Sequence, residues 1–363
     1  MVINFEKYMT ENTVGNLSSG RKNNFNLLRA IAAVLVIFAH SYGLAIGESA
    51  KDPLKAVIGI SFGTLAVSIF FVTSGFLVFK SFVNKPLTYY IQSRILRIFP
   101  GLLICNLITV TFIGLFVTTN SFHDFFLNTQ TYKYILNNTI LIRKLEFFLP
   151  GTFESNIFPD SVNGSLWTLP TEIFMYIFIP ILVLLGLHKN TKYYNILFLI
   201  TFLILIYSNT HPSTSVYFQF YFLLGIFIFL NRNKIILNHL IGISIFLSIV
   251  LLYYLNLRIL VLLFPFFIGY LVFYFSYCFK GILLNYNRLG DYSYGLYIYA
   301  FPVQQTILYF FKPTLITLFI YSFLITLILA IFSWHVIEKP MMKLKNNTTI
   351  IEKLFHNIKL ISI

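Results

Sequence analysis

Acidic side chains are scarce: 12 Asp and Glu stand against 26 Lys and Arg in 363 residues, and all charged residues together make up 10%. So few charges cannot build a water-facing shell around a chain that is 58% hydrophobic and 19% aromatic, which excludes an ordinary soluble globular protein. Cysteine is nearly absent too. Cys105 and Cys278 both fall inside apolar stretches without metal-ligating neighbours, which excludes a disulfide framework and a zinc site and leaves two small packing residues. Internal repeats, low-complexity linkers and a further globular segment are also missing. A single membrane domain over 25–335 is therefore expected, between cytoplasmic tails at 1–24 and 336–363.

What the chain does have is apolar runs of about 20 residues from end to end, continuous rather than alternating, as helices in lipid require and barrel strands do not. Ten spans are expected near 25–46, 57–79, 99–118, 165–187, 194–210, 217–230, 236–254, 259–279, 293–311 and 314–335. The polar start, with Glu6, Lys7, Arg21 and Lys22, precedes a run too long for a signal-peptide core, so the first helix is read as retained. With both termini cytoplasmic, the inside segments hold 18 of the 26 basic residues and the outside segments 7. This makes the net charge of +14 a statement about topology rather than about nucleic acid. The longest connecting stretch, 119–164, then lies outside and carries Lys133, Arg143, Lys144, Glu146, Glu154 and Asp160 among aromatics, suiting it to shape an opening. The fold class is thus an all-α polytopic integral membrane protein.

Ionisable groups at membrane depth are costly and mark functional cavities. The first span holds two, Arg29 and His40. Eleven helical steps return to within about 20° of the starting direction and rise roughly 16 Å, so the two line one face at different depths. That separation matches a pantetheine arm, with Arg29 at the phosphate end of coenzyme A and His40 at the thioester. Histidine suits the removal of a hydroxyl proton because its ordinary pKa leaves it neutral near pH 7. A histidine hydrogen-bonded between helices is the plainer alternative. Arg94 and Arg97, at i and i+3, share a helical face at the cytoplasmic rim, where they either clamp an anionic phosphate or anchor the helix at the headgroups. Glu172 enters the fourth span behind Trp167. The carboxylate is placed to orient His40 or Arg29 or to form a structural ion pair; the indole is a sugar platform or an interfacial anchor. Ser74 and Gly75 read first as close helix packing, and the hydroxyls of 291–299, Tyr297 among them, as core hydrogen bonding. Pro340, after Glu338 and Lys339, is expected to stop the last helix.

In order along the chain these segments resemble the membrane-bound acyltransferase family 3, whose members O-acylate bacterial surface polysaccharides and other extracytoplasmic acceptors. The resemblance covers about residues 23–345. It rests on Arg29 and His40 with ten residues between, the run Phe70-Phe71-x-x-Ser74-Gly75-Phe76-Leu77, and Arg94-x-x-Arg97 ahead of Pro100. To these are added Gly164-Ser165-Leu166-Trp167 with Glu172, Ser293-Tyr294-Gly295-x-Tyr297, and Ile337-Glu338-Lys339-Pro340. The resemblance implies an acyl-CoA donor, usually acetyl-CoA, supplied from the cytoplasm, with no permanently bound cofactor or metal. It implies His40 as the catalytic residue and required arginines at 29, 94 and 97; Arg29 and Glu172 are expected to join His40 in the catalytic set, the three arginines to bind the acyl-CoA, and Ser74, Trp167 and Tyr297 to take a supporting or acceptor-side role. The implied acceptor is a hydroxyl of an O-antigen, capsule or exopolysaccharide, free or lipid-linked, at a bacterial inner membrane. Two positions depart from it: Asn26 stands where many relatives carry Asp, removing a partner for Arg29, and Ala300 where many carry His. Some relatives also carry an esterase-like domain, and this chain is expected to act on its acceptor without one.

Two other functions suit the same residues. A proton-coupled transporter would use intramembrane Arg, His and Glu, although no inverted repeat or paired broken helix is visible. An acyltransferase with a lipid or small-metabolite acceptor would carry the same motifs, since acceptor identity lies in cavity shape. A scaffold would be indifferent to loss of His40.

Overall fold

The computed structural model describes residues 11–20, 22–47, 49–159, 161–207, 214–255 and 259–346. Glu6, Lys7, Arg21, Asp160 and the tail beyond 346 lie outside the described residues. Among the described residues the chain is helical, with one isolated antiparallel bridge, Thr13 to Ile236, and no strand. Ten principal helices follow one another: α1 (Phe25–Ile46), α2 (Phe62–Asn84), α3 (Leu87–Phe116), α4 (Leu169–Leu184), α5 (Thr191–Tyr207), α6 (Ser215–Leu230), α7 (His239–Tyr254), α8 (Ile259–Cys278), α9 (Ser293–Phe311) and α10 (Leu315–Phe332). Among the described residues, six helical stretches are long and apolar enough to cross a membrane: α1, α2, α3, Gly164–Leu184, α8 and Leu315–Lys343. Helices α5, α6 and α7 are apolar but shorter. Ile200, Leu203 and Ile204 of α5 and Ile320, Leu324 and Ile328 of α10 are exposed, as lipid-facing side chains are.

Local chemistry sets the boundaries, and three of the differences from those expected have a local cause. Helix α2 begins at 62 rather than 57. Gly59, at φ 77°, ends the short helix Pro53–Ile58, and the Ser61 hydroxyl then caps Thr64 N at 2.9 Å. The buried carboxylate of Asp52 ties the two helices by accepting from Lys55 N (3.0 Å) and Phe62 N (3.2 Å). Helix α3 begins at 87 rather than 99, so Arg94 and Arg97 lie within it and Pro100 is internal. The last helix does not stop at Pro340. A π-helical turn, Ser333–Glu338, carries it on to Lys343, and Pro340 stands in the first turn of the resumed helix, where no backbone N–H is needed.

Helices α1 and α2 form the centre. Helix α2 packs on α1, α4, α6 and α8, while α1 also meets α9 and α10. The tightest approach is between α2 and α6. A Cβ on Gly75 would overlap the Phe222 carbonyl, and one on Gly225 the Val72 carbonyl, so glycine at both positions lets the backbones touch. The close-packing reading of this segment is thus borne out. In lipid, where apolar side chains gain nothing by leaving the solvent, such contact and its dispersion energy hold helices together.

Hydrogen bonds join the starts of odd-numbered helices to the ends of even-numbered ones at one end of the bundle. Asn24 Nδ2 donates to the Phe275 carbonyl at 3.4 Å, next to the end of α8. Asn231 Nδ2, just past α6, donates to Asn195 Oδ1 on α5 at 2.9 Å. At the other end, residues 119–159 and 161–163 form two short helices, Phe122–Leu127 and Thr129–Ile140, and an irregular return around their own core of Phe125, Tyr134, Leu149 and Phe153. Gln305 of α9 holds that return down, its Nε2 donating to the carbonyls of Phe158 and Ser161 at 2.7 Å each.

Candidate active site

The two ionisable residues of α1 open onto different cavities. Near its start, Arg29 lines a narrow chamber of about 40 Å³ with Phe70, Thr168, Glu172, Tyr294 and Tyr297. Arg29 Nε is buried and has no hydrogen-bond partner, while Nη1 stands 3.6 Å from Asp291 Oδ2. The Glu172 carboxylate, in the same lining, accepts from Ser74 Oγ at 3.1 Å and from the Tyr176 hydroxyl. Glu172 therefore shares a chamber with Arg29, and its recorded hydrogen bonds go to Ser74 and Tyr176 rather than to His40. The Arg94 guanidinium lies over the Tyr176 ring at 5.6 Å, a rim position joined to this chamber through Tyr176.

His40, half-buried, forms part of the common wall of two larger chambers. One, of about 510 Å³, is mostly apolar and lined by Leu44, Phe147, Phe158, Ser161, Trp167 and Phe301. The other, of about 230 Å³, has Tyr42, Asp52, Lys55, Ser61 and Thr64 in its lining. Trp167 also belongs to both. The second chamber shares Val67 and Tyr297 with the Arg29 chamber, so a line of cavities runs from Arg29 to His40. Tyr297 is fixed at this junction: its hydroxyl donates to the Ser165 carbonyl at 2.7 Å and lies 2.6 Å from Thr168 Oγ1.

The imidazole is oriented from two sides. Nδ1 is 3.5 Å from Ser165 Oγ, and the Phe301 ring meets it edge-on at 5.2 Å between centroids. The structure records no partner for Nε2. Gln304 fixes the adjoining turn of α1, its Nε2 donating to the Ile37 carbonyl (2.8 Å) and Ser41 Oγ (2.9 Å). Ala300 packs in an apolar cluster with Ala33, Ile37, Leu296 and Ala330, so α9 supports α1 there by packing and by Gln304 one turn on.

Arg97 is differently placed from Arg29. One guanidinium nitrogen binds Asp291 Oδ2 at 2.7 Å and another Glu338 Oε2 at 2.8 Å, while Tyr294 and Trp334 cover its faces at 5.5 Å. Glu338 is completely buried and also accepts from Ser333 Oγ at 2.9 Å. Burial works against the charged form of Asp291, but Arg97, Arg29 and the hydrogen bonds of Ser293 outweigh it and hold its carboxyl below the ordinary range. Asp291, Ser165 and Glu338 stood inside segments the sequence reading had quoted, without roles of their own. Asp291 and Glu338 could be singled out only as scarce carboxylates beside apolar helices.

No solved structure matches this chain. It is 26% identical over 344 residues to an O-acetyl transferase of Shigella phage Sf6, covering 88% of this chain and 96% of that protein. It is 34% identical over 172 residues to nodulation protein 10 of Rhizobium leguminosarum bv. viciae, covering 46% of this chain and 45% of that one. The family profile described as "Acyltransferase domain" aligns with residues 22–335, the part of the chain that holds every chamber above. A histidine lining two adjoining cavities is an arrangement in which a donor and an acceptor can meet, and the chain belongs to acyltransferase family 3.

Proposed function

We propose that this enzyme moves an acetyl group from cytoplasmic acetyl-CoA to a hydroxyl of a surface or cell-envelope glycan. The observation that carries the reading is the line of cavities from Arg29 past Val67 and Tyr297 to His40, where a larger apolar chamber shares the same imidazole in its lining. The likeness to the phage Sf6 O-acetyl transferase supports the choice of acetyl and of an oxygen acceptor. On this reading the ten helices all span a bacterial cytoplasmic membrane. Both termini are cytoplasmic, tails 1–24 and 336–363 flank the membrane domain at 25–335, and the 119–163 segment is outside.

Arg29, with its unpartnered Nε, and Arg94 at the rim receive the anionic end of the donor. Arg97, saturated by two carboxylates, serves the donor by holding that rim together. The pantetheine arm lies along the passage and brings the thioester carbonyl to His40. Ser165, at Nδ1, leaves Nε2 to take the proton of the acceptor hydroxyl as its oxygen attacks the carbonyl carbon. The tetrahedral intermediate collapses, the carbon–sulfur bond breaks, and the departing sulfur takes the proton back from the imidazolium. Trp167 offers the acceptor a ring face beside His40. The apolar lining of the larger chamber suits the hydrocarbon part of a lipid-linked glycan. The test is mass analysis of surface glycans from cells carrying wild type, His40→Ala or neither. An alkali-labile gain of acetyl mass is expected with wild type alone; identical glycans in all three would overturn the reading.

A further inference from the structure

Arg29 is a cation of α1 whose helix supplies it no carboxylate. Residue 26, one turn earlier and on the same side, is Asn. The partner comes from the chain before α9. We infer that Asp291 is a positioning residue for the donor site, holding the Arg29 guanidinium by one edge so that its other edge faces the chamber. This rests on the donor reading given above.

Three observations lead there. Asp291 is itself immobilised: Oδ1 accepts from Ser293 Oγ and from Ser293 N at 3.3 Å, and Oδ2 takes the Arg97 guanidinium at 2.7 Å. Its hold on Arg29 is looser, at 3.6 Å through Nη1, and leaves Arg29 Nε buried without a partner in a residue that lines the chamber. The acid in the lining of that chamber, Glu172, spends its recorded hydrogen bonds on Ser74 and Tyr176. A buried guanidinium donor left unsatisfied costs stability and is the expected state of a group that awaits an oxygen ligand. Asn287 Nδ2, donating to the Asn23 carbonyl at 2.8 Å, docks the segment bearing Asp291 against the start of α1, so the two charges keep their register.

The experiment measures acetyl-CoA binding by detergent-purified protein without acceptor, so that turnover does not enter. Asp291→Asn should weaken binding about tenfold, Arg29→Gln at least as much, and the double variant little more than the worse of the two, as residues acting through one another do. Asn26→Asp in the Asp291→Asn background returns a carboxylate to Arg29 from one helical turn away and should recover most of the affinity. Undiminished affinity in Asp291→Asn overturns the inference. So does a loss of thermal stability with unchanged affinity, or a weakened affinity that Asn26→Asp leaves unrestored. If wild type binds no acetyl-CoA, the donor reading itself falls and takes the inference with it; if wild type binds and Asp291→Asn binds equally, the inference alone falls.

Discussion

Arg97 provides a quantitative check on whether a required arginine is a ligand or a strut. Its guanidinium lies between Asp291, 13% exposed, and Glu338, which is fully buried. Replacement by Met preserves bulk and removes the only cation within ion-pair distance of Glu338 among the described residues, whereas Asp291 keeps Arg29 at 3.6 Å. Breaking a buried pair from one side costs roughly 3–5 kcal/mol because a charge is left uncompensated. At about 2–4 °C per kcal/mol for chains somewhat smaller than this one, the melting point of Arg97→Met should fall by about 6–20 °C. Adding Glu338→Gln removes the stranded charge and should return at least half of that loss, since a buried pair replaced on both sides is often nearly neutral. The assay is thermal unfolding in detergent by tryptophan fluorescence, with Trp334 reporting from 5.5 Å. If Arg97 instead gripped the donor directly, Arg97→Met would melt within about 2 °C of wild type. Glu338→Gln would then give no relief. Either result refutes the strut.

Glu172→Gln keeps an acceptor for Ser74 and Tyr176 but removes the acidic charge from the lining that holds Arg29; acetyl-CoA turnover should fall about tenfold with the melting point little changed. Gly75→Ala inserts a methyl into the Phe222 carbonyl, which α6 backbone cannot yield, so α2 and α6 must separate. A cost of about 1–3 kcal/mol is expected, read as a lower melting point with acetyl-CoA affinity retained in the folded fraction.

Helix positions were legible because the bilayer imposes one rule on every span, an apolar run of sufficient length. Boundaries were less so. Residues 87–98 are helical but bear Arg94 and Arg97, and a hydropathy reading places the start of α3 after them. Pro340 is an ordinary stop signal, defeated here because the π-helical turn before it has already reset the hydrogen-bond register. In the site, Arg29 and His40 were visible through helical periodicity within one segment. The Asp291 contact to Arg29 and the Glu338 contact to Arg97 join residues far apart in the chain, and no local pattern encodes them. Glu172 shows the same limit: its depth in the span marked it as costly, but only the packing of α2 against α4 reveals that Ser74 receives it.

The small chamber that meets the next at Val67 and Tyr297 bears on the membrane as an electrical insulator. A protein that reaches from cytoplasmic coenzyme A to an outside sugar would, with a wide passage, discharge the ion gradient on which the cell runs. At about 40 Å³ the Arg29 chamber has room for only a few waters at about 10–15 Å³ each. Tyr297, committed to Ser165 and Thr168, offers that short file little rotational freedom for relaying protons. On the donor reading proposed above, the same narrowness would admit a slender thioester arm while keeping the bilayer sealed between turnovers.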